Sequence, residues 1–291
     1  MKKILSRKVA IITGANQGLG FEIAKKYAAA GANLMLCARN EHLLDNALRK
    51  VKEYAVDDQV ILAQKVDVSN EMDVSSVIES TFNQLGVCHI LVNNAGIYGP
   101  KGDIEEVDWA EWIKAIEINV YGSVLMCRKL IPRFKQQRYG KVIQLSGGGA
   151  TNPLPKISAY AVSKAAIVRF AETLAEEVRG YGIDVNAIAP GALNTRMLEE
   201  VLIAGPEMVG KEFYERSLKQ QESGGASIER AAELALFLAS SLSDGITGKL
   251  ISAAWDNWEE WPKHLSELNK SDVYTLRRIV GRDRNINWGD K

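Results

Sequence analysis

Hydrophobic and polar positions follow two alternating periods along the chain. Short apolar runs at 8–13 (K-V-A-I-I-T), 33–38, 59–66, 89–93, 140–146 and 183–189 have the unbroken character of strands buried on both faces. A further run, G-K-L-I-S at 248–252, closes the series. Between them apolar residues recur at helical spacing, as in Phe21, Ile23, Ala24, Tyr27 and Ala28 after the first run. Behind Trp109, the residues Trp112, Ile113, Ile116, Val120 and Val124 repeat in the same way. This alternation predicts an α/β protein with one doubly wound parallel sheet of about seven strands and helices on both faces. Ligands of such sheets bind outside the carboxyl ends of the strands, where Gly14, Asn93, Ser146 and Pro190 fall.

Length and charge narrow the picture. The 291 residues suit one α/β domain over 1–254, followed by an extension over 255–291. Lys plus Arg and Asp plus Glu are equal at 36 each, so nothing draws the chain to nucleic acid or an acidic membrane surface. The start, M-K-K-I-L-S-R-K-V-A-I-I-T-G, has a signal peptide's basic-then-apolar order. Its apolar part is strand one, however, and cleavage would remove it from the fold. No apolar run reaches the length of a membrane span. Cys37, Cys88 and Cys127 are far apart with no C-x-x-C, and read as small buried apolar residues in a reducing compartment, the cytoplasm. Neither they nor His42, His89 and His264 have metal-ligand spacing, so no metal is expected.

Candidate chemistry lies at two places. Strand one breaks into G-A-N-Q-G-L-G, and a helix pattern follows. Glycines there let backbone approach a pyrophosphate, and the free N–H groups and positive end of the helix face it. Strand two ends in C-A-R-N, with no acid at Ala38 to take a ribose 2′-hydroxyl and with Arg39 available for a 2′-phosphate. NADP(H) is therefore favoured, with NAD(H) as the alternative. The second place is S-A-Y-A-V-S-K, where Tyr160 and Lys164 stand four residues apart on one helix face. A nearby positive charge favours the phenolate, which predicts a lowered Tyr160 pKa and a group that exchanges protons near neutrality.

Together these landmarks resemble the short-chain dehydrogenase/reductase family over roughly residues 6–252. T-G-A-N-Q-G-L-G matches its T-G-x-x-x-G-x-G turn, which implies cofactor contacts from Gly14, Asn16, Gln17, Gly18, Leu19 and Gly20. Arg39 and Asn40 follow strand two, and Val66-Asp67-Val68 resembles the strand-three end that meets the adenine. N-N-A-G (93–96) resembles the motif after strand four, implying Asn93, Ala95 and Gly96 on the cofactor side. P-G-A-L-N-T resembles the turn facing the nicotinamide, with Pro190, Gly191 and Thr195 as contacts. Tyr160 and Lys164 match Y-x-x-x-K, Lys164 also holding the nicotinamide ribose, and Asn119 sits where the family orders a relay water.

One position departs from the family. Its substrate-binding Ser lies 13 residues before the Tyr, and that count falls on Gly147 in L-S-G-G-G-A. Ser146 is one residue too early, and neighbours on a strand face opposite ways. Either the glycine run re-registers the loop so that Ser146 reaches the substrate, or the hydroxyl is missing and Ser158 or a substrate group replaces it.

Residues 194–227, bracketed by Gly205, Pro206, Gly210, Gly224 and Gly225, read as a substrate lid with Met197, Leu198, Met208, Phe213 and Tyr214 lining a partly apolar pocket. In the extension Trp255, Trp258 and Trp261 fall near one face of a helix that Pro262 ends or restarts. They predict docking on the core or a neighbouring subunit. Arg277, Arg278, Arg282 and Arg284 form a basic cluster that suits phosphate or solvent. The resemblance implies a Rossmann-type fold, a homodimer or homotetramer, and hydride transfer between nicotinamide and a small carbonyl or secondary alcohol, with Asn119, Ser146, Tyr160 and Lys164 as the catalytic set. The rivals are epimerisation or dehydration on the same scaffold, or a non-catalytic NADP-binding subunit.

Overall fold

The computed structural model describes residues 3–56, 58–286 and 288. Its strands are β1 (Val9–Thr13), β2 (Asn33–Ala38), β3 (Ile61–Lys65), β4 (Ile90–Asn93), β5 (Gly140–Leu145), β6 (Ile183–Ala189) and β7 (Leu250–Ser252). They form one parallel sheet in the order β3-β2-β1-β4-β5-β6-β7. Each strand lies within two residues of its predicted bounds. Helices α1 (Gly18–Ala29), α2 (Glu41–Lys52), α3 (Glu71–Leu85), α4 (Trp109–Ile116), α5 (Gly122–Gln137) and α6 (Ser158–Glu177) connect β1 to β6. Between β6 and β7 run α7 (Arg196–Val209), α8 (Lys211–Ser223) and α9 (Ile228–Ala239), and α10 (Leu265–Lys270) follows β7.

Strand alternation divides the interior into two cores. Ala10, Ile12, Leu34 and Leu36 share one face with Ile23 and Tyr27 of α1, Leu44 of α2 and Leu234 of α9. Ile11, Met35 and Leu91 face the other way, with Val77 of α3, Met126 of α5 and Val168 of α6. Tyr27 is fully buried, and its hydroxyl donates to the Ala235 carbonyl at 2.8 Å, which ties α1 to α9 across the first core. At the amino ends of the strands, register pairs Lys141 with Asp184. The buried Lys141 ammonium reaches Asp184 at 2.6 Å and Asp244 at 2.7 Å. Cys37, Cys88 and Cys127 are buried and free of disulfides.

The last segment folds back onto the sheet. Trp258–His264 is a 3₁₀ helix, so Trp258 and Trp261 fall one above the other and both are buried against the first core. Trp258 packs on Phe237 and lies under the Arg230 guanidinium, while Trp261 packs on Tyr274. Trp255 does not share that face. It sits in the preceding turn, its N–H donating to Ser252 Oγ, and is 88% exposed. A continuous α-helix is refused here because Pro262 lacks an N–H and its ring crowds the carbonyl four residues back. The chain then returns along β7: the Leu250 N–H donates to the Tyr274 carbonyl at 2.8 Å, and Lys249 Nζ donates to the Ser271 and Val273 carbonyls. This covers a sheet edge that would otherwise invite pairing with another chain. In the basic cluster Arg277 is neutralised by Asp272 and Asp283.

Candidate active site

The carboxyl ends of β1, β2, β4, β5 and β6 open onto a cleft of about 920 Å³. That volume lies within the usual range for small-molecule and cofactor sites. At one end is the glycine turn, where Gly14 takes φ +63° and a Cβ built on it would stand 2.8 Å from Asn94 Nδ2. A side chain at Gly20 would overlap Asn94 and the Gly14 carbonyl, so this glycine packs the turn rather than lining the cleft. Gly14, Asn16, Gln17, Gly18 and Leu19 do line it. No side chain caps the start of α1 and no acid occupies its first turn, leaving the first N–H groups for an anion. Uncapped amides, a close-fitting glycine turn and a long adjoining cleft fit a dinucleotide.

Along the cleft, Ala38, Arg39 and Asn40 form the wall at the end of β2. Arg39 is exposed, with no ion pair among the described residues, while Asn40 caps α2 by accepting from the Leu43 N–H at 3.0 Å. Val66 and Val68 reach the cleft, whereas the Asp67 carboxylate turns to Ser69, accepting from its N–H at 3.0 Å and its hydroxyl at 2.6 Å. Pro190, Gly191 and Thr195 stand opposite, and a Cβ on Gly18 would lie 3.6 Å from Thr195 Cγ2. From α7 and α8, Leu198, Phe213 and Gln220 roof the cleft, and Trp255 stands at its rim.

Ala95 and Gly96 line the cleft, but Asn93 does not. As the last residue of β4, Asn93 turns its side chain to α5, donating to the Ser123 carbonyl at 3.3 Å. Its neighbour Asn94 points the opposite way, its amide donating to the Thr13 and Gly14 carbonyls at 3.0 Å each. The two-residue period of a strand could have assigned Asn94 rather than Asn93 to the glycine turn.

At the far end the helical residues converge. Asn119 lies in a π-helical turn, Glu117–Tyr121, between α4 and α5, a distortion common at functional sites. Its amide donates to the Ile97 carbonyl at 2.8 Å and Ser163 Oγ at 2.9 Å, and its oxygen accepts from the Ile97 N–H at 2.9 Å. A Cβ on Gly96 would stand 3.2 Å from Asn119 Oδ1 and 3.6 Å from Lys164 Nζ, so these three predicted positions meet at one point. Ser163, absent from the predicted set, joins Asn119 to the Tyr160 carbonyl at 2.7 Å; its signal was the helical spacing from Tyr160. Tyr98, also absent, packs its ring 4.6 Å from that of Tyr160.

Lys164 Nζ donates to the Leu145 carbonyl at 2.7 Å and lies 5.4 Å from the Tyr160 ring centre. No carboxylate lies within ion-pair reach among the described residues, and burial lowers the Lys164 pKa to about 8. The lowered phenol pKa expected for Tyr160 is not found. Burial pushes it well up, and Tyr98 adds in the same direction. The cause is desolvation of the phenolate, which outweighs a cation held by a backbone carbonyl.

Position 147 faces the Tyr160 hydroxyl. A Cβ on Gly147 would stand 2.6 Å from that oxygen. The β5–β6 register holds through Leu145 and Ile188, and the Ser146 hydroxyl donates into α6, to the Lys164 carbonyl at 3.3 Å. Ser158 Oγ accepts from Trp112 Nε1 at 3.1 Å.

Comparison with known proteins agrees with this geometry. Residues 8–204 match the short chain dehydrogenase family, and the chain belongs to it. It is 32% identical to 11-beta-hydroxysteroid dehydrogenase A of Sesamum indicum over 231 residues, 77% of this chain and 65% of that protein. It is 31% identical to 2-(R)-hydroxypropyl-CoM dehydrogenase of Xanthobacter autotrophicus, over 83% of this chain and 94% of that one. The crystal structure of levodione reductase superposes with a TM-score of 0.78 at 29% identity, covering 85% of this chain and 96% of the other. The protein is thus an NAD(P)-dependent oxidoreductase of the CH–OH/carbonyl type. No described helix is long and apolar enough to cross a membrane.

Proposed function

We propose that the protein reduces a small carbonyl compound, or oxidises the corresponding secondary alcohol, with NADP(H) and with Tyr160 as the proton donor or acceptor. The convergence of Tyr160, Lys164 and Gly96 at the far end of a cleft that begins at the uncapped glycine turn, with Asn119 buried against Gly96, carries this reading. When bound, the nicotinamide supplies or takes the hydride. Arg39, exposed at the end of β2 with no acid at Ala38, supports NADP(H) over NAD(H). Gly14, Gln17 and Gly18 would hold the pyrophosphate, and Pro190, Gly191 and Thr195 the nicotinamide end. Asn119 and Ser163 fix the backbone around the pair. Lys164 bears a positive charge at neutral pH and would hold the nicotinamide ribose. A phenol that keeps its proton suits delivery to a carbonyl oxygen in the reductive direction.

Residues 194–227 serve as the lid, and the 255–291 extension contributes Trp255 to the rim while packing on the core. Exposed Trp109, Tyr121 and Val162 support association through the α4–α6 side as a homodimer or homotetramer. The unpaired cysteines support a cytoplasmic location.

A carbonyl panel assayed with NADPH deuterated at the transferred position tests the proposal. Deuterium on the carbinol carbon, with one NADPH consumed per alcohol formed, is the expected result. Product formation without net NADPH consumption would mean epimerisation or dehydration. Tight NADPH binding with no turnover would mean a non-catalytic subunit, the reading that Gly147 most favours.

A further inference from the structure

The reacting oxygen of a carbonyl gathers negative charge as hydride arrives, and one protonating phenol leaves it a second site to fill. In this protein the side-chain position that faces the Tyr160 hydroxyl is Gly147, which offers nothing to fill it. The serines around Tyr160 are bonded to other groups: Ser146, which lines the cleft, donates to the Lys164 carbonyl, Ser163 donates to the Tyr160 carbonyl, and Ser158, outside the lining, accepts from Trp112 Nε1. Thr151 and Asn152 line the cleft but are exposed and bonded to each other, Asn152 Nδ2 donating to Thr151 Oγ1 at 3.1 Å. Next to Gly147, a Cβ on Gly148 would meet nothing within 4 Å, and Gly148 also lines the cleft. Gly147 thus places no donor at the Tyr160 hydroxyl, and the open room lies one residue on, in the cleft at Gly148.

We propose that the substrates are α-hydroxy carbonyls and their vicinal diols, whose own neighbouring hydroxyl occupies the open cleft at Gly148 and donates to the reacting oxygen. The inference rests on the carbonyl/alcohol reading above. In the reductive direction the carbonyl carbon takes a hydride from the reduced nicotinamide, the C=O π pair moves onto oxygen, and that oxygen takes the Tyr160 proton. The neighbouring hydroxyl lends a hydrogen bond and keeps its proton. The product is the vicinal diol, and solvent returns the proton to Tyr160.

The test pairs substrates that differ in one donor. Phenacyl alcohol carries the α-hydroxyl, acetophenone lacks it, and the methyl ether of phenacyl alcohol keeps the inductive pull without a donor. With wild-type protein and NADPH, kcat/KM for phenacyl alcohol should exceed that for the other two by roughly 10²–10³, the usual cost of one missing oxyanion donor. Gly147→Ser and Gly147→Ala both add the Cβ that crowds Tyr160, so their ratio isolates a hydroxyl on the protein. That ratio should be roughly 10²–10³ on acetophenone and within about threefold of unity on phenacyl alcohol. By calorimetry on the NADP-loaded protein, the diol product should bind more tightly than 1-phenylethanol by about tenfold or more. Equal turnover of phenacyl alcohol and its methyl ether would place the second donor on the protein, at Tyr98 or Thr151 for instance, and overturn the proposal. So would a Ser/Ala ratio that is the same on both ketones. Turnover of none of the three would overturn the carbonyl reading as well, whereas turnover of all three alike strikes this inference alone.

Discussion

Both ends of the central sheet bury a lysine, and they treat it in opposite ways. At the amino ends Lys141 is nearly inaccessible and lies between Asp184 and Asp244, each within ion-pair distance. At the carboxyl ends Lys164 is almost as buried, yet it faces one backbone carbonyl and no carboxylate among the described residues. A charge with its counter-ions nearby is set up to hold the fold, whereas one without them costs stability and persists where something else needs it. The contrast sets these two lysines apart without reference to any motif.

Replacing the two lysines in turn would break or sharpen this contrast most. Lys141→Met strands the largely buried Asp184 carboxylate and should cost about 3–5 kcal/mol in denaturant unfolding. Lys164→Met removes a desolvated charge and should leave stability unchanged or raised while turnover collapses. Equal losses of stability from both would erase the distinction.

A pH series sharpens it further. The Lys164 amine holds its proton to an ordinary 10.5 when unfolded but only to about 8 when folded. Between those values the folded chain binds fewer protons, so its stability rises with pH, and the penalty is complete below about pH 8. The rise should be on the order of 3 kcal/mol, and unfolding curves of wild type minus Lys164→Met between pH 7 and about 10 should isolate it.

Arg39 is a second cation of the reactive end without an ion pair among the described residues. Arg39→Ser should weaken NADPH binding about 10–100-fold, as expected for losing a charge-assisted bond, and leave NADH within about threefold. A uniform loss for both would mean that Arg39 does not read the 2′-phosphate. The smallest effect belongs to Trp255. Being 88% exposed, it should change stability by less than about 0.5 kcal/mol when replaced by Ala, measured by thermal unfolding.

The fold was legible because parallel strands buried on both faces leave unbroken apolar runs, which the sheet register reproduces from Val9 to Ser252. The glycine turn was legible because its constraint is backbone geometry, as at Gly14. What depends on burial was not legible. The upward push on Tyr160 comes from desolvation among residues remote in sequence, Tyr98 included. The separation of Trp255 from Trp258 and Trp261 comes from a helix that starts only at Trp258, with Trp255 in the turn before it, a boundary the tryptophan spacing alone did not reveal. The two alternatives at Ser146 and Gly147 could be separated only by seeing which one faces the Tyr160 hydroxyl.

The most direct test of the central claim is Tyr160→Phe, assayed for turnover and for NADPH affinity in the same preparation. Turnover should fall by roughly 10²–10⁴, the range for loss of a general acid, with the dissociation constant for NADPH within about threefold of wild type. Turnover retained at the wild-type level would contradict the account.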